Sequence, residues 1–402
     1  MTTKSKVPHI RFGGFSGEWD NIKFDESFTN IPNNNLSRAE LNYESGLAKN
    51  VHYGDVLIKF GELLDIEKEK VPFISNNDFV VKFKSSRLQN GDMIIADAAE
   101  DEMVGKCTEI VNINDEMVFS GLHTIAIRPT NEFASKYLGY YMNSSSYHNQ
   151  LLPLLQGTKV LSISKSTIKN TEILFPKEQA EQTKIGDYFQ KLDKLIEQKE
   201  KKYQKLKEFK KAMLSKMFPK NGATIPEIRF GGFSGEWEEK SLGDISKITT
   251  GKSNREDSGI NGKYTFFDRS DDIRTSDIYL FDCEAVIVAG EGSDFVPKYF
   301  IGKFDLHQRT YAIMNFELLD GKFLFYYIHL FRKYFLGQAV GSTVKSLRLP
   351  MFQEMPIKFP EKAEQTKIGN YFQKLDSQIE LQLQELQKLK NIKKASLAKM
   401  FV

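Results

Sequence analysis

Twelve residues near the start of the chain return almost unchanged past its middle. Pro8 to Trp19 reads PHIRFGGFSGEW and Pro226 to Trp237 reads PEIRFGGFSGEW, an offset of 218 (226 − 8). A second segment also returns: Ala180 to Asp193 reads AEQTKIGDYFQKLD and Ala363 to Asp376 reads AEQTKIGNYFQKLD, at an offset of 183 (363 − 180). The two offsets differ, so the material between the repeated pieces is unequal in length, and by eye it is mostly unequal in sequence. Such a chain folds as a duplicated frame that carries two different inserts.

The second repeat opens a heptad pattern. Apolar side chains fall at Ile185, Phe189, Leu192, Ile196, Tyr203, Leu206, Met213 and Met217, the 4,3 spacing of a long amphipathic helix. The copy places Ile368, Phe372, Leu375, Ile379, Leu386, Leu389 and Met400 at the same heptad positions. Pro176 and Pro360 stand just before the helices, where the missing N–H costs nothing. Stretches of about 40 residues reach roughly 60 Å at 1.5 Å per residue, and a helix that long and that charged cannot bury its stripe against itself. Two equivalent helices solve this by packing on each other as an antiparallel coiled coil, which relates the halves by a pseudo-two-fold axis. Lys199 and Lys210, matched by Gln382 and Lys393, interrupt the seam in the way that sets register at some cost in stability. Gly186 and Gly369, in the first turns, predict a bend or close packing against the preceding domain. On the helices alone a plain stalk is equally compatible.

The inserts read as mixed α and β. Strand-type runs occupy Asp55 to Phe60, Asp92 to Ala96, Val118 to Ser120 and His123 to Arg128, with helices over Phe133 to Asn143 and Tyr147 to Leu155. The second insert has strands at Ala285 to Ala289, Tyr299 to Ile301 and Thr310 to Asn315, then a helix over Phe323 to Leu336. Each closes on a glycine loop, Gln156 to Val160 in one and Val340 to Lys345 in the other. The length of 402 residues leaves room for two or three domains.

A search for chemistry returns absences. Gly251, Lys252 and Ser253 resemble the end of a phosphate loop, but Ser246 stands where the first glycine belongs. Gly290, Glu291 and Gly292 follow an apolar strand, yet Pro297 arrives too soon for the helix that would hold a cofactor's phosphates. None of the 12 prolines adjoins another, which excludes an amino-methyltransferase motif of the (N/D)PP(Y/F) type. The six histidines, His9, His52, His123, His148, His307 and His329, form no metal-ligand spacing, and Cys107 and Cys283 read as buried small side chains. No catalytic residue, metal ligand or cofactor site is expected. With 56 basic against 53 acidic residues the net charge is +3, so any phosphate-binding face is local. No apolar run is long enough for a membrane span, and MTTKSKVPHIRF lacks a secretory signal, which points to the cytoplasm.

The duplicated frame, the EQTKIG(D/N)YFQKLD helix starts, the RFGGFSGEW openings and the inserts ending in G(T/S)xxV together resemble the specificity subunit of a Type I restriction-modification enzyme, over essentially the whole chain. GDMIIADAAEDEMVGKCTEI and FSGLHTIAIRP resemble one recurrent type of target-recognition domain in that family; ITTGKS, VIVAGEG and GSTVKSL resemble another. The resemblance implies an α+β fold: a first target-recognition domain over 1–176, a long helix over 177–218, a linker over 219–225, a second target-recognition domain over 226–360 and a second long helix over 361–402. It implies a non-catalytic chain that reads a bipartite, asymmetric double-stranded DNA target. Its partners would be two methyltransferase subunits and restriction/translocase subunits, with S-adenosylmethionine, ATP and Mg2+ on those partners and no membrane involved. A coil of roughly 60 Å equals about 18 base pairs, an upper bound on the spacer. The residues alone also admit a duplicated coiled-coil adaptor or a standalone DNA-binding regulator.

Base edges are read best by Arg, Lys, Asn and Gln in loops, and phosphates by Ser, Thr and Lys. The first domain offers Asn34, Asn35, Arg38, Lys106, His123, Thr158, Lys159 and Lys165. The second offers Ser253, Asn254, Arg255, Arg269, His307, Arg309, Thr343, Lys345 and Arg348. Phe12, Phe15 and Trp19, with copies Phe230, Phe233 and Trp237, could stack on bases. Because an identical segment cannot give two specificities, they are expected instead to tuck each domain's start against the opposite coil. By the same logic the repeated coil faces should bind two identical partners.

Overall fold

The heptad stripes form two uninterrupted helices, Gln179–Met217 of 39 residues and Lys362–Lys399 of 38. The structure, a computed structural model, describes residues 6–82, 84–220, 222–270 and 272–402. The fold is α+β, two mixed sheet-and-helix units linked by the long helices. The first unit comprises the chain up to Gln198 together with Leu386–Val402; the second is Lys199–Glu385. Each unit therefore holds the start of its own long helix and the end of the other.

Within each unit the two helical segments run antiparallel. In the first, Tyr188 Oη lies 3.1 Å from Ser396 Oγ, and Lys393 Nζ lies 2.6 Å from Asp193. In the second, Lys199 pairs with Glu385 and Lys210 with Asp376. The polar residues that interrupt the stripe thus each meet an acid: Gln382 also donates to Glu385, and Lys393 reaches Glu62 at 2.8 Å as well as Asp193. Among the fifteen seam positions, Ile185, Phe189, Leu192, Met217, Ile368, Phe372, Leu375, Leu386 and Met400 are buried. Ile196, Tyr203, Leu206, Met213, Ile379 and Leu389 are half-buried.

The repeated residues build the junction between each sheet-and-helix body and its helices. Arg11 donates from Nε and Nη2 to Glu181, both at 2.7 Å, and from Nη1 to the Gly17 carbonyl. Arg229 does the same to Glu364 and Gly235. Gln182 donates to the Pro176 carbonyl and accepts from the Ala134 N–H, as Gln365 does with Pro360 and Asp320. A Cβ on Gly186 would lie 3.1 Å from that of Lys136, and one on Gly369 would lie 2.8 Å from that of Lys322. Both glycines therefore serve close packing rather than a bend.

The aromatic openings belong to the same junctions. Trp19 packs edge-on against Phe401 at 6.3 Å and the Ile10 N–H donates to the Lys399 carbonyl. Trp237 meets Phe218 at 6.0 Å and the Ile228 N–H donates to Lys216. Phe12 and Phe230 pack on Tyr188 and Tyr371, while Lys184 and Lys367 sit over Phe15 and Phe233. These rings are spent on the frame, as their identity in both copies requires.

The first unit centres on a mixed five-stranded sheet in the order Phe28–Ile31, Thr124–Pro129, Met93–Ala96, Cys107–Val111, Leu63–Asp65. Strand alternation sends Met93, Ile95, Ile125 and Ile127 into one core and Ile94, Ala96 and Ala126 into another. A four-stranded sheet of Met117–Ser120, Ala48–Val51, Phe73–Ile74 and Leu41–Asn42 lies in the same unit. The second unit has a six-stranded sheet in the order Lys247–Thr250, Thr310–Met314, Phe281–Ala289, Lys298–Leu306, Tyr264–Phe267, Arg274–Ser276. Helix Gly321–Phe331, capped by the Asp320 side chain, and helix Lys333–Gln338 replace the single expected helix, broken at Arg332.

One expected strand is a helix. Asp55 to Phe60 reads as an apolar run, but Tyr53–Ile58 is α-helical. His52 caps it by accepting from the Gly54 N–H, and Val56 and Phe60 are buried while Ile58 is 85% exposed. The i, i+4 spacing outweighs the β-type composition. The helix expected over Phe133 to Asn143 is shorter, Tyr137–Met142, because Lys136 at φ 77° turns the chain just before it. The other expected strands all fall on strands.

Candidate nucleic-acid interface

Both units end their two central core strands in the same way. Thr124 pairs with Ala96 in the first, and Thr310 with Ala289 in the second. One residue further out, the Asp97 N–H donates to the His123 carbonyl at 3.1 Å and the Gly290 N–H to the Arg309 carbonyl at 2.8 Å. His123 and Arg309 therefore hold one register position on two sheets. Beyond them a two-residue strand catches the glycine loop: Ala98–Ala99 pairs with Leu161–Ser162, and Glu291–Gly292 with Lys345–Ser346. Gly157 (φ +111°) and Gly341 (φ +116°) turn the loops so tightly that a Cβ would lie 2.0 Å from the Val160 carbonyl oxygen and 2.3 Å from that of Val344. Only glycine fits there. The loops hold Thr158, Lys159, Thr343 and Lys345 exposed.

A second element is shared. Three residues past the strands Phe28–Ile31 and Lys247–Thr250 come Asn34 and Ser253, both buried, and then a 3-10 turn, Arg38–Glu40 or Arg255–Asp257, closed by a capping box. Each turn starts with an exposed arginine aimed at a buried acid. Arg38 Nη1 lies 2.6 Å from Asp55, and Arg255 Nε lies 4.0 Å from Asp268. Burial would raise both acids, but the hydrogen bonds they accept outweigh it and hold them below the usual carboxylate range.

In the second unit, Arg255, Asp268, Arg269, Glu291, His307 and Arg309 line one cleft. Arg255 and Arg269 also line a neighbouring one with Thr343 and Lys345. Glu291 takes Arg309 Nη1 at 2.5 Å and faces Arg269 Nη1 at 3.9 Å. His307 accepts the Arg309 N–H on Nδ1, and burial lowers its pKa, so the ring stays neutral. Asn254 accepts from the exposed Gln308 amide. Ser253, by contrast, is buried and donates to Asp305, and Arg348 sits exposed before helix Leu349–Gln353 and lines neither cleft.

In the first unit, His123 Nδ1 lies 3.3 Å from Asp97 and its ring meets Tyr53 edge-on at 5.2 Å. Lys165 reaches Asn33, and burial raises Asp97 against the pull of His123 and Lys165. Arg38, His123 and Lys165 thus gather around Tyr53, Asp55 and Asp97, with Asn35, Thr158 and Lys159 exposed. Asn34 and Lys106 point inward. The Asn34 amide donates to Asn50, and the Lys106 ammonium, its pKa lowered by burial, donates to the Leu57 carbonyl at the end of a helix.

The acids Asp97, Asp268 and Glu291, and the aromatic Tyr53, escape a reading that looks for donors alone. A carboxylate near a strand end has no periodicity to reveal it. Gly251, Lys252 and Ser253 make no phosphate loop: a Cβ on Gly251 would lie 1.7 Å from the Leu306 carbonyl oxygen. Among the described residues no group of three His, Cys, Asp or Glu side chains could hold a metal, and no helix is long and apolar enough to cross a membrane. The arrangement can supply fixed donors and acceptors to a polyanion with base edges.

The family model for the Type I restriction modification DNA specificity domain matches twice, at residues 50–208 and 234–391. The Escherichia coli Type I restriction enzyme EcoDI specificity subunit is 30% identical over 159 residues, covering 40% of this chain and 35% of that subunit. The chain thus spans about a third of that relative's length. The putative type I restriction enzyme MjaX specificity subunit of Methanocaldococcus jannaschii is 23% identical over 362 residues, 84% of this chain and 81% of that one. Among solved structures, the S subunit of a Type-I restriction-modification system from M. genitalium superposes with a TM-score of 0.63 at 15% identity, covering 98% of this chain and 99% of that one. A chain from a structure on assembly and conformational transition of the type I R-M system gives a TM-score of 0.52 at 17% identity, covering 97% and 98%. These two likenesses are of fold.

Proposed function

The chain belongs to the family of Type I restriction-modification specificity subunits, and from that premise we propose that it reads a bipartite, asymmetric DNA target, one unit to each half-site. It is non-catalytic: address and scaffold for partners that do the chemistry. Two methyltransferase subunits would bring S-adenosylmethionine and modify an adenine flipped from the duplex, and restriction/translocase subunits would bring ATP and Mg2+. The observation that supports this best is a frame built twice with the same bonds, Arg11 to Glu181 and Arg229 to Glu364, ending in two unlike sets of charged side chains. Identical junctions suit identical partners, and unlike ends suit unlike sequences. The free thiols of Cys107 and Cys283 favour the cytoplasm as its compartment.

Sequencing of methylated adenines in cells that carry this chain with its methyltransferase partner tests the reading. The expected result is one asymmetric motif of two half-sites with an unread spacer, and native mass spectrometry should find two methyltransferase subunits per chain. A single contiguous motif, or uptake of one subunit, would sink it. An adaptor would give no motif, and a standalone regulator would show the same preference in a gel shift without its partner.

A further inference from the structure

We propose that Arg309 reads a guanine in the second unit's half-site, using the guanidinium edge that Glu291 leaves free, and that Glu291 is its positioning residue. The inference deepens the DNA-reading function above and rests on it.

The main chain at Arg309 is pinned from three sides. Its carbonyl accepts from the Gly290 N–H, its N–H donates to His307 Nδ1 at 3.1 Å, and the next residue, Thr310, is buried at the start of a core strand. A Cβ on Gly290 would lie 2.6 Å from the Arg309 carbonyl oxygen, so a side chain at 290 would push the turn outward. The guanidinium is pinned in turn. Glu291 holds Nη1, and Glu291 is itself fixed on a strand hydrogen-bonded to Lys345–Ser346. The arginine side chain is 62% exposed and the carboxylate 19%.

Those positions have a chemical meaning. An arginine presents its donors in a rigid fork, and guanine offers O6 and N7 as a matching pair of acceptors in the major groove. A carboxylate that occupies one nitrogen restrains the fork and leaves Nε and Nη2 free; among the described residues neither of these atoms has a hydrogen-bond partner. Positioning of this kind from neighbouring side chains makes a contact selective rather than merely attractive. So exposed an ion pair contributes little to folding, so its removal should alter reading more than stability. The first unit supplies the internal contrast: His123 stands at the same register beside Asp97, and an imidazole has no fork. At this register position, a carboxylate-held fork is therefore present in the second unit and absent from the first.

The test is the methylated-adenine profile of cells carrying the chain and its methyltransferase partner, for wild type and for Arg309→Ala, Arg309→Lys, Glu291→Gln and Glu291→Asp. Arg309→Ala and Arg309→Lys should both relax one guanine position in one half-site by about tenfold or more, with the other half-site and the spacer unchanged. Glu291→Gln should relax the same position by a smaller factor, and Glu291→Asp should restore part of it. The purified variants should melt at the wild-type temperature; the lysine variant, which keeps the charge, serves if the alanine variant does not fold. Unchanged preference at every position, or a uniform fall at all sites as for a phosphate contact, would overturn the assignment of Arg309. Relaxation by Arg309→Ala with none by Glu291→Gln would overturn the role of Glu291. A wild-type profile with no bipartite motif would instead defeat the function on which the inference rests.

Discussion

The two units agree most closely where the body meets the long helices and least closely at the ends of the central strands. At the junction, Arg11 meets Glu181 and Arg229 meets Glu364 at the same 2.7 Å, with Trp19 on Phe401 matched by Trp237 on Phe218. At the strand ends the backbone register is equally shared, yet the side chains part. Asp97 holds His123 in one, while Gly290 and Glu291 hold Arg309 in the other, the carboxylate displaced by one residue. A side chain at the junction touches a sheet body, its own helix and the end of the other helix, so change there is costly. One at a strand end touches two loops and solvent, and can be exchanged while the register stays.

The largest expected effect tests the sameness of the junctions. Glu181 and Glu364 are 1% and 0% exposed and their arginines about 15%. Removing one partner of a buried pair strands a charge, at a cost of about 3–5 kcal/mol. Arg11→Met and Arg229→Met should each show a loss of that order in urea unfolding, and the two losses should agree within about 1 kcal/mol. Pairing Arg11→Met with Glu181→Leu should recover most of it, because the apolar replacement leaves no orphaned carboxylate. A large disparity between the two arginines would break the equivalence of the units.

A second prediction concerns a feature that the first unit has alone. Glu109 is 2% exposed and accepts the Lys136 and Gly139 N–H groups at 2.5 and 2.9 Å, in place of a cap on helix Tyr137–Met142. The second unit caps its helix with Asp320 instead. Burial pushes the Glu109 carboxyl up from 4.5 to about 7, against hydrogen bonds that pull it down. The native state thus keeps the proton longer than the unfolded chain. Below about pH 4.5 both forms are protonated and the group contributes no slope; between about 4.5 and 7 the unfolded chain releases its proton first, so stability falls as pH rises. The loss totals at most about 3 kcal/mol and is complete above pH 7. Glu109→Gln should remove this slope from a melting series over that range. A slope that persists unchanged would show that the two hydrogen bonds keep Glu109 ionised.

The long helices and the aromatic openings are legible in the sequence because they repeat, while the ion pairs between them, Arg11 with Glu181 and Arg229 with Glu364, are not. Heptad spacing marks a stripe of which nine of fifteen positions are buried, and duplication marks RFGGFSGEW as frame. Phe401, stacked on Phe189 at 5.6 Å, lies one residue beyond the last heptad position, Met400, and the spacing does not reach it. The strand-end site was half legible. Arg255, Arg269, His307 and Arg309, scattered over 55 positions of sequence (255 to 309), do line one cleft, but the acids that orient them carry no pattern. Tyr53–Ile58 was misread because one helical turn and a short strand have the same composition, and the His52 cap that decides between them is a single side chain.

The smallest expected effect separates a structural asparagine from a reading one. Asn34 donates to Asn50 at 2.6 Å and accepts the Leu36 N–H at 3.1 Å, wholly inside the first unit. Asn35 beside it is exposed. Asn34→Ala leaves the Asn50 carbonyl without its buried donor, a cost of about 1–3 kcal/mol in unfolding, and should leave the methylated motif as it was. Asn35→Ala should change stability by no more than about 0.5 kcal/mol, and any effect it has should appear as a changed base preference in the first half-site alone. Ser253 and Asn254 repeat the arrangement, one bonded to buried Asp305 and the other exposed. Ser253→Ala should therefore follow Asn34→Ala and lower stability, while Asn254→Ala, which removes the cap of Arg255–Asp257 and the Gln308 contact, should cost about 1 kcal/mol and show any changed base preference in the other half-site alone. If the inward residues altered the motif and the outward ones did not, the reading surface would have to lie on another face of both units, and the shared register of His123 and Arg309 would be a feature of folding only.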